Sequence, residues 1–217
     1  MEPKIPMYIS VQLESGYGKD AKRIWLPLPA TKKQFAAAKK SVERHGCEMV
    51  IKKYSLKIPR ISLTDLMEAP FSQVNHLAAR LDVLDNNQII KLCAVSESEM
   101  CFDTVEQLIK YTYNTEKYTL DIDVMSEEDL GWREIEKLGL SKFPEIIMKY
   151  IEPHKFGLDI AESENSEFTS FGYLTRDPSW FDVKKKYCIP ASLDIKGAFG
   201  EELYGEMEIE ITSEEEN

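Results

Sequence analysis

The period of the apolar residues changes twice along this chain, and that constrains its fold more than any single motif does. "MYISVQL" near the start is made of residues that favour strands, and "RIWLPLP" is a second short strand ended by prolines. From Ser62 the spacing becomes helical: Leu63, Leu66 and Met67 share one face, as do Val74, Leu77, Ala78 and Leu81. Alternation returns at "KYTLDIDV". A chain of 217 residues with 43% hydrophobic content can bury a real core around such elements. The pattern predicts an α+β protein with three small subdomains in series: α+β over residues 1–60, a helical bundle over 61–116, and an acidic α+β unit over 117–175. Residues 176–217 form an extension with one acidic strand and an acidic tail.

Boundary signals refine this reading. Thr31 is a candidate N-cap for a helix through "KKQFAAAKKSVERHG", with Gly46 as its C-cap, and "CEMVIKKYSL" reads as a strand. Asp103 and Ser126 are candidate N-caps for helices in "FDTVEQLIKYTYN" and "SEEDLGWREIEKLG". "FPEIIMKYI" reads as a short helix, "HKFGLDIAESE" as a strand or turn, and "EFTSFGYLTR" as one strand.

Charge is segregated along the chain. The net −11 is the sum of +8 over residues 1–60, −5 over 61–117 and −14 over 118–217. The acidic part repels nucleic acid and attracts basic surfaces; the basic part does the reverse, or docks on an acidic neighbour. No apolar run reaches the roughly 18 residues that span a bilayer, and "MEPKIPMYISVQLES" lacks the apolar core of a signal peptide. Cys47, Cys93, Cys101 and Cys188 are scattered without a CxxC pair, which suits reduced thiols. A cytoplasmic protein that makes no contact with membrane is expected.

Motifs of catalysis and cofactor binding are missing: no GxGxxG, GxxxxGK[ST], HExxH or GxSxG occurs. His45, His76 and His154 lie far apart and read as structural or exposed residues. Asp121 and Asp123 would share a face of a strand, but two carboxylates alone are too few ligands for a hard cation. No enzyme, metal or cofactor is expected. Lys32, Lys33, Lys39 and Lys40 on a helix, with Lys52, Lys53 and Lys57 on a strand, form a basic patch without aromatic interleaving. Its ordinary reading is a solvated face, and direct nucleic-acid binding is not expected.

The acidic array is the chemistry that is present. Asp121, Asp123, Glu127, Glu128, Asp129, Glu134 and Glu136 fall within "KYTLDIDVMSEEDLGWREIEK", and Glu152, Asp159, Glu162 and Glu164 extend them. Glu206, Glu208 and Glu210 would line one face of a strand in "GEMEIEIT". Duplex DNA carries a charge about every 1.7 Å of axis, and proteins bind it by neutralising those charges with Lys and Arg. Carboxylates in regular rows can occupy the same basic groove; alternatively they serve only solubility. Gly131 and Trp132 read as residues of local geometry and core packing.

The order of motifs sharpens the choice. "LIKYTYNTEKYTLDIDVMSEEDLGW" followed by "FPEIIMKYIEPHKFGLDIAESENSEFTSFGYL" resembles the ArdA-type antirestriction proteins of mobile elements such as conjugative transposons. The matching positions include Leu108, Ile109, Thr112, Asn114 and Tyr118, then Asp129, Leu130 and Gly131. Pro144, Tyr150, Ile151, Phe156, Gly157 and Asp159 follow, and Phe168, Thr169, Gly172 and Tyr173 close the run. Asn75, Leu77 and Ala78 are similar to the family's helical middle segment, and "IWLPLPATKKQF" to its start.

The resemblance implies an elongated, acidic, dimeric, non-enzymatic DNA mimic that occupies the DNA-binding groove of type I restriction–modification enzymes. The eleven carboxylates from Asp121 to Glu164 would form its partner-binding surface. The alternative is a mobile-element protein-interaction module with the same fold and no antirestriction activity. The basic first sixty residues depart from members that are acidic along nearly their whole length.

Overall fold

The computed structural model describes residues 8–16, 18–43, 47–58, 63–98, 104–139, 142, 144, 146, 149–177, 191 and 193. They form an α+β fold that divides into two compact units. One comprises Met1–Val83, Asp103–Glu106 and Cys188–Asn217; the other comprises Leu84–Phe102 and Gln107–Tyr187.

The first unit is built on a three-stranded antiparallel sheet of β1 (Ile9–Ser15), β2 (Lys22–Leu28) and β3 (Met49–Leu56), in the order β2-β1-β3. Alternation in β1 buries Ile9, Val11 and Leu13, which register with Leu28, Leu26 and Ile24 of β2. Pro27 is tolerated because β2 is an edge strand. Helix α1 (Lys32–Val42) starts at Thr31 in a capping box: Thr31 Oγ1 accepts from Gln34 N, and Gln34 Oε1 accepts from Thr31 N at 2.8 Å. Phe35, Ala38 and Val42 form its buried stripe, and Lys33 and Lys40 stand exposed on the other side, the solvated face read from the sequence.

Helices α2 (Leu63–Glu68) and α3 (Phe71–Leu81) complete this unit, with the Phe35 and Phe71 ring centroids 5.0 Å apart. Buried Asn75 makes a paired contact with one residue of the β2–α1 corner. Its Oδ1 accepts from Ala30 N at 2.7 Å, and its Nδ2 donates to Ala30 O at 2.8 Å. His76 is buried too, and burial followed by the Arg80 charge lowers its pKa. It is a core histidine.

In the second unit, β4 (Tyr118–Asp121), β5 (Ser166–Thr169) and β6 (Gly172–Arg176) form an antiparallel sheet in the order β4-β6-β5. The sheet is covered on both faces, and adjacent residues of its central strand show how. Leu174 packs with Ala94 and Val95 of α4 (Asn86–Glu97) and with Tyr118. Tyr173, one residue away, packs with Val124 and Leu130. Leu130 belongs to α6 (Glu127–Lys137), after α5 (Val105–Thr112). The helices anticipated over 61–116 thus divide: α2 and α3 group with the first unit, α4 and most of α5 with the second.

Three local readings need correction. "EFTSFGYLTR" is a hairpin, β5 and β6, turning on Ser170 and Phe171; Gly172 takes φ +132°, a conformation most residues avoid. "HKFGLDIAESE" is helical, α7 (Pro153–Ser163). Pro153 starts that helix, where its missing N–H costs nothing, and the Gly that suggested a turn is a helix-contact residue. β4 ends at Asp121, so Asp123 is not its strand neighbour; Asp121 Oδ1 accepts from Asp123 N at 3.2 Å across a turn. The Asp103 cap, the Gly46 cap, His45 and the "GEMEIEIT" strand lie outside the described residues, as do Phe143, Glu145, Ile147 and Met148 of "FPEIIMKYI".

Candidate acidic interaction surface

Two glycines decide how the carboxylates are displayed. A Cβ at Gly131 would stand 1.8 Å from Pro153 O, and one at Gly157 1.8 Å from Glu127 O. The backbones of α6 and α7 therefore touch. Contacts of 131 with 153 and of 127 with 157 make the helices antiparallel, which sets the positive end of the α6 dipole beside the later turns of α7. Val124 and Leu130 pack with Ile160 and Ala161 in the core beneath.

Helix α6 is capped by its own acids. Ser126 Oγ accepts from Asp129 N at 3.2 Å, and Asp129 Oδ2 accepts from Ser126 Oγ at 2.8 Å and from Met125 N at 3.1 Å. Glu127, Glu128 and Asp129 in this first turn are favoured by the helix dipole. Glu162 and Glu164 at the end of α7 are placed against it, where stability alone would favour Lys or Arg.

Arg133 organises the interior of the acidic stretch. Its Nη1 donates to Asp121 Oδ2 at 2.5 Å, its Nε to Glu134 Oε1 at 2.9 Å, and its guanidinium lies 5.5 Å from the Tyr173 ring centroid. Lys137 Nζ also donates to Glu134, at 2.6 Å. Burial alone would raise the Glu134 carboxyl; bonds from Lys137 and Arg133 outweigh it and hold it below the usual range. Tyr173 Oη donates to Glu164 Oε2 at 2.8 Å, and burial first of all pushes its phenol up to about 12.

The eleven expected residues thus fall into two sets. Asp121, Asp129, Glu134, Glu152 and Glu164 are engaged within the fold, Glu152 by Lys155 at 2.5 Å. Asp123, Glu127, Glu128, Glu136, Asp159 and Glu162 make no ion pair among the described residues. Glu128, Glu136, Asp159 and Glu162 are exposed on the outer faces of the two helices. Gly131 is buried as expected, but Trp132 is 41% exposed, between Glu128 and Glu136 at helical spacing. Sequence reasoning missed Arg133, whose signal was its place as a lone arginine among acids.

No group of three or more His, Cys, Asp or Glu is placed to hold a metal ion among the described residues, and no described helix is long and apolar enough to cross a membrane. Burial pushes the Cys93 thiol up to about 11, which keeps it in the inert thiol form.

The class of protein defined here is an α+β protein whose second unit displays carboxylates on a pair of helices in backbone contact. The family description "Antirestriction protein (ArdA)" matches residues 21–175, and the chain belongs to that antirestriction family. The match begins within the first unit and takes in β2 and β3 but not β1. A search of curated proteins returned no match.

Proposed function

We propose that the chain is an acidic DNA mimic that enters the DNA-binding groove of a type I restriction–modification enzyme and inhibits it. It acts without catalysis, metal or cofactor, in the cytoplasm and as a homodimer. The observation that carries this reading is the set of carboxylates on the outer faces of α6 and α7 that make no ion pair among the described residues.

The charge density supports both the mimicry and the dimer. Helix α6 has 11 residues, about 16 Å of length at 1.5 Å per residue. Duplex DNA carries roughly ten charges over that distance. The helix offers five carboxylates against Arg133 and Lys137, so it needs α7 beside it. The stretch from Asp121 to Glu164 holds 12 acidic and 5 basic residues, a net −7. A second copy doubles that footprint.

The test is restriction of unmodified DNA by a purified type I enzyme, with the protein titrated in at two salt concentrations. Inhibition that competes with DNA and weakens with salt is the expected result. A folded protein that leaves restriction untouched refutes the mimic. That outcome would favour the protein-interaction module without antirestriction activity, the reading that the +8 charge of residues 1–60 recommends.

A further inference from the structure

The sheet of the first unit buries one face, and on the other Trp25, Pro27, Lys53 and Ser55 are exposed. Ile9, Val11 and Leu13 of β1 point inward with Leu26, Leu28, Ile51 and Tyr54, and α1 packs against β1 and β2. The opposite face carries Ser10 and Gln12 of β1, Arg23, Trp25 and Pro27 of β2, and Lys53 and Ser55 of β3. Gln12 pairs with Trp25 on one side and Lys53 on the other, so these three form one row. Trp25 is 43% exposed, and Lys53 Nζ lies 5.7 Å from its ring centroid. Lys57 continues the alternation of β3, its N–H donating to Tyr8 O at 2.9 Å, and is exposed. Arg23 is neutralised by Glu14. Among the described residues, the net charge of that face therefore rests on Lys53 and Lys57.

We propose that this face binds single-stranded nucleic acid. An exposed indole with the Lys53 ammonium over its ring, and hydroxyl and amide groups along the same sheet face, meets the three needs of such a ligand. A base stacks on Trp25 by displacing the Lys53 ammonium from the ring, Lys53 and Lys57 then meet neighbouring phosphates, and Ser10, Gln12 and Ser55 reach sugar or base edges. Duplex DNA hides its base faces and gives the indole nothing to stack on. An acidic peptide satisfies the lysines but not the ring. The 13 Lys/Arg against 5 Asp/Glu of residues 1–60 supply the complementary field. Composition argued against direct nucleic-acid contact because the basic patch held no aromatic. Strand pairing supplies one, bringing Trp25 to a lysine 28 positions away.

The experiment is an anisotropy titration of a short fluorescent oligothymidylate with the full chain, over a series of salt concentrations. Two phosphate contacts predict a log–log salt slope of about −1.4, and Lys53→Gln should lower its magnitude by about 0.7. Trp25→Ala should weaken binding about tenfold or more, and Trp25→Phe should restore most of it. Trp25 is exposed, so circular dichroism should show both variants folded. The proposal fails if the oligonucleotide does not bind at low salt, or if Trp25→Ala binds as the parent does. It also fails if unlabelled duplex or polyglutamate competes as well as unlabelled single strand, the polyglutamate result pointing to an acidic protein partner.

Discussion

Gly131→Ala and Gly157→Ala are the sharpest perturbations of the acidic surface, because each adds one methyl group and removes no charge. The new Cβ would stand 1.8 Å from a backbone carbonyl oxygen of the facing helix. Ordinary C···O contacts begin near ~3.3 Å, so α6 and α7 must part by about 1.5 Å at that point. Parting loosens Val124, Leu130, Ile160 and Ala161 in the core beneath. Overpacking of this kind costs about 1–3 kcal/mol, and rigid backbone on both sides puts these sites at the upper end. Alanine's better helix propensity returns about 1 kcal/mol. A net loss of about 1–2 kcal/mol should lower Tm by about 2–4 °C per kcal/mol in a chain of this size. The double variant should lose less than the sum, since one displacement of the helix pair relieves both clashes. Gly139→Ala is the control: its φ is +72° with nothing within 4 Å of the new Cβ, so it carries only backbone strain and should move no other residue. Circular dichroism melts with amide exchange across α6 and α7 measure both effects. Gly131→Ala and Gly157→Ala variants that melt at or above the parent temperature, with unchanged exchange, would show that the helices are not in backbone contact.

Single neutralisations at Glu128, Glu136, Asp159 or Glu162 should change inhibition of restriction by less than about fivefold, since one exposed charge contributes little. Neutralising all four together should abolish inhibition; loss of activity from one substitution alone would instead indicate a discrete site. Arg133→Gln should make the chain more acidic yet less stable, by about 1–3 kcal/mol in a denaturant melt, because Asp121 and Glu134 lose their shared partner. Asn75→Leu should cost a similar ~1–3 kcal/mol by stranding the N–H and C=O of Ala30. His76 and Glu134 both have lowered pKa values, so each contributes stability at neutral pH that is lost on acidification. The His76 part should begin to fall near pH ~6.5, its unfolded value, and the Glu134 part near pH ~4.3. A His76→Gln variant whose stability falls as steeply as the parent's between those pH values would refute the histidine's share.

Much was legible in local patterns because local physics decides them. Alternation in Ile9–Ser15, the capping box at Thr31 and the serine cap at Ser126 follow from periods of two and 3.6 and from orphan N–H groups at a helix start. The acidic array was visible for the same reason: charge is a property of residues, wherever the chain later places them. What failed locally was glycine. Gly157 in "HKFGLDI" reads as a turn when only neighbours are considered, yet it is helical because a second helix lies against it.

The sequence by itself determined the α+β class, most of the elements, the family and the identity of the charges. Tertiary structure decided which charges are spent inside the fold and which are displayed. Arg133 reaches twelve positions back to Asp121, and Glu164 is held by Tyr173, so neither carboxylate is free for a partner as Glu128 and Glu162 are. Pairing of that kind depends on distances between elements, which the period of a strand or helix does not encode. The same holds for Trp25 beside Lys53, a juxtaposition made by the register of three strands and by nothing in either segment alone.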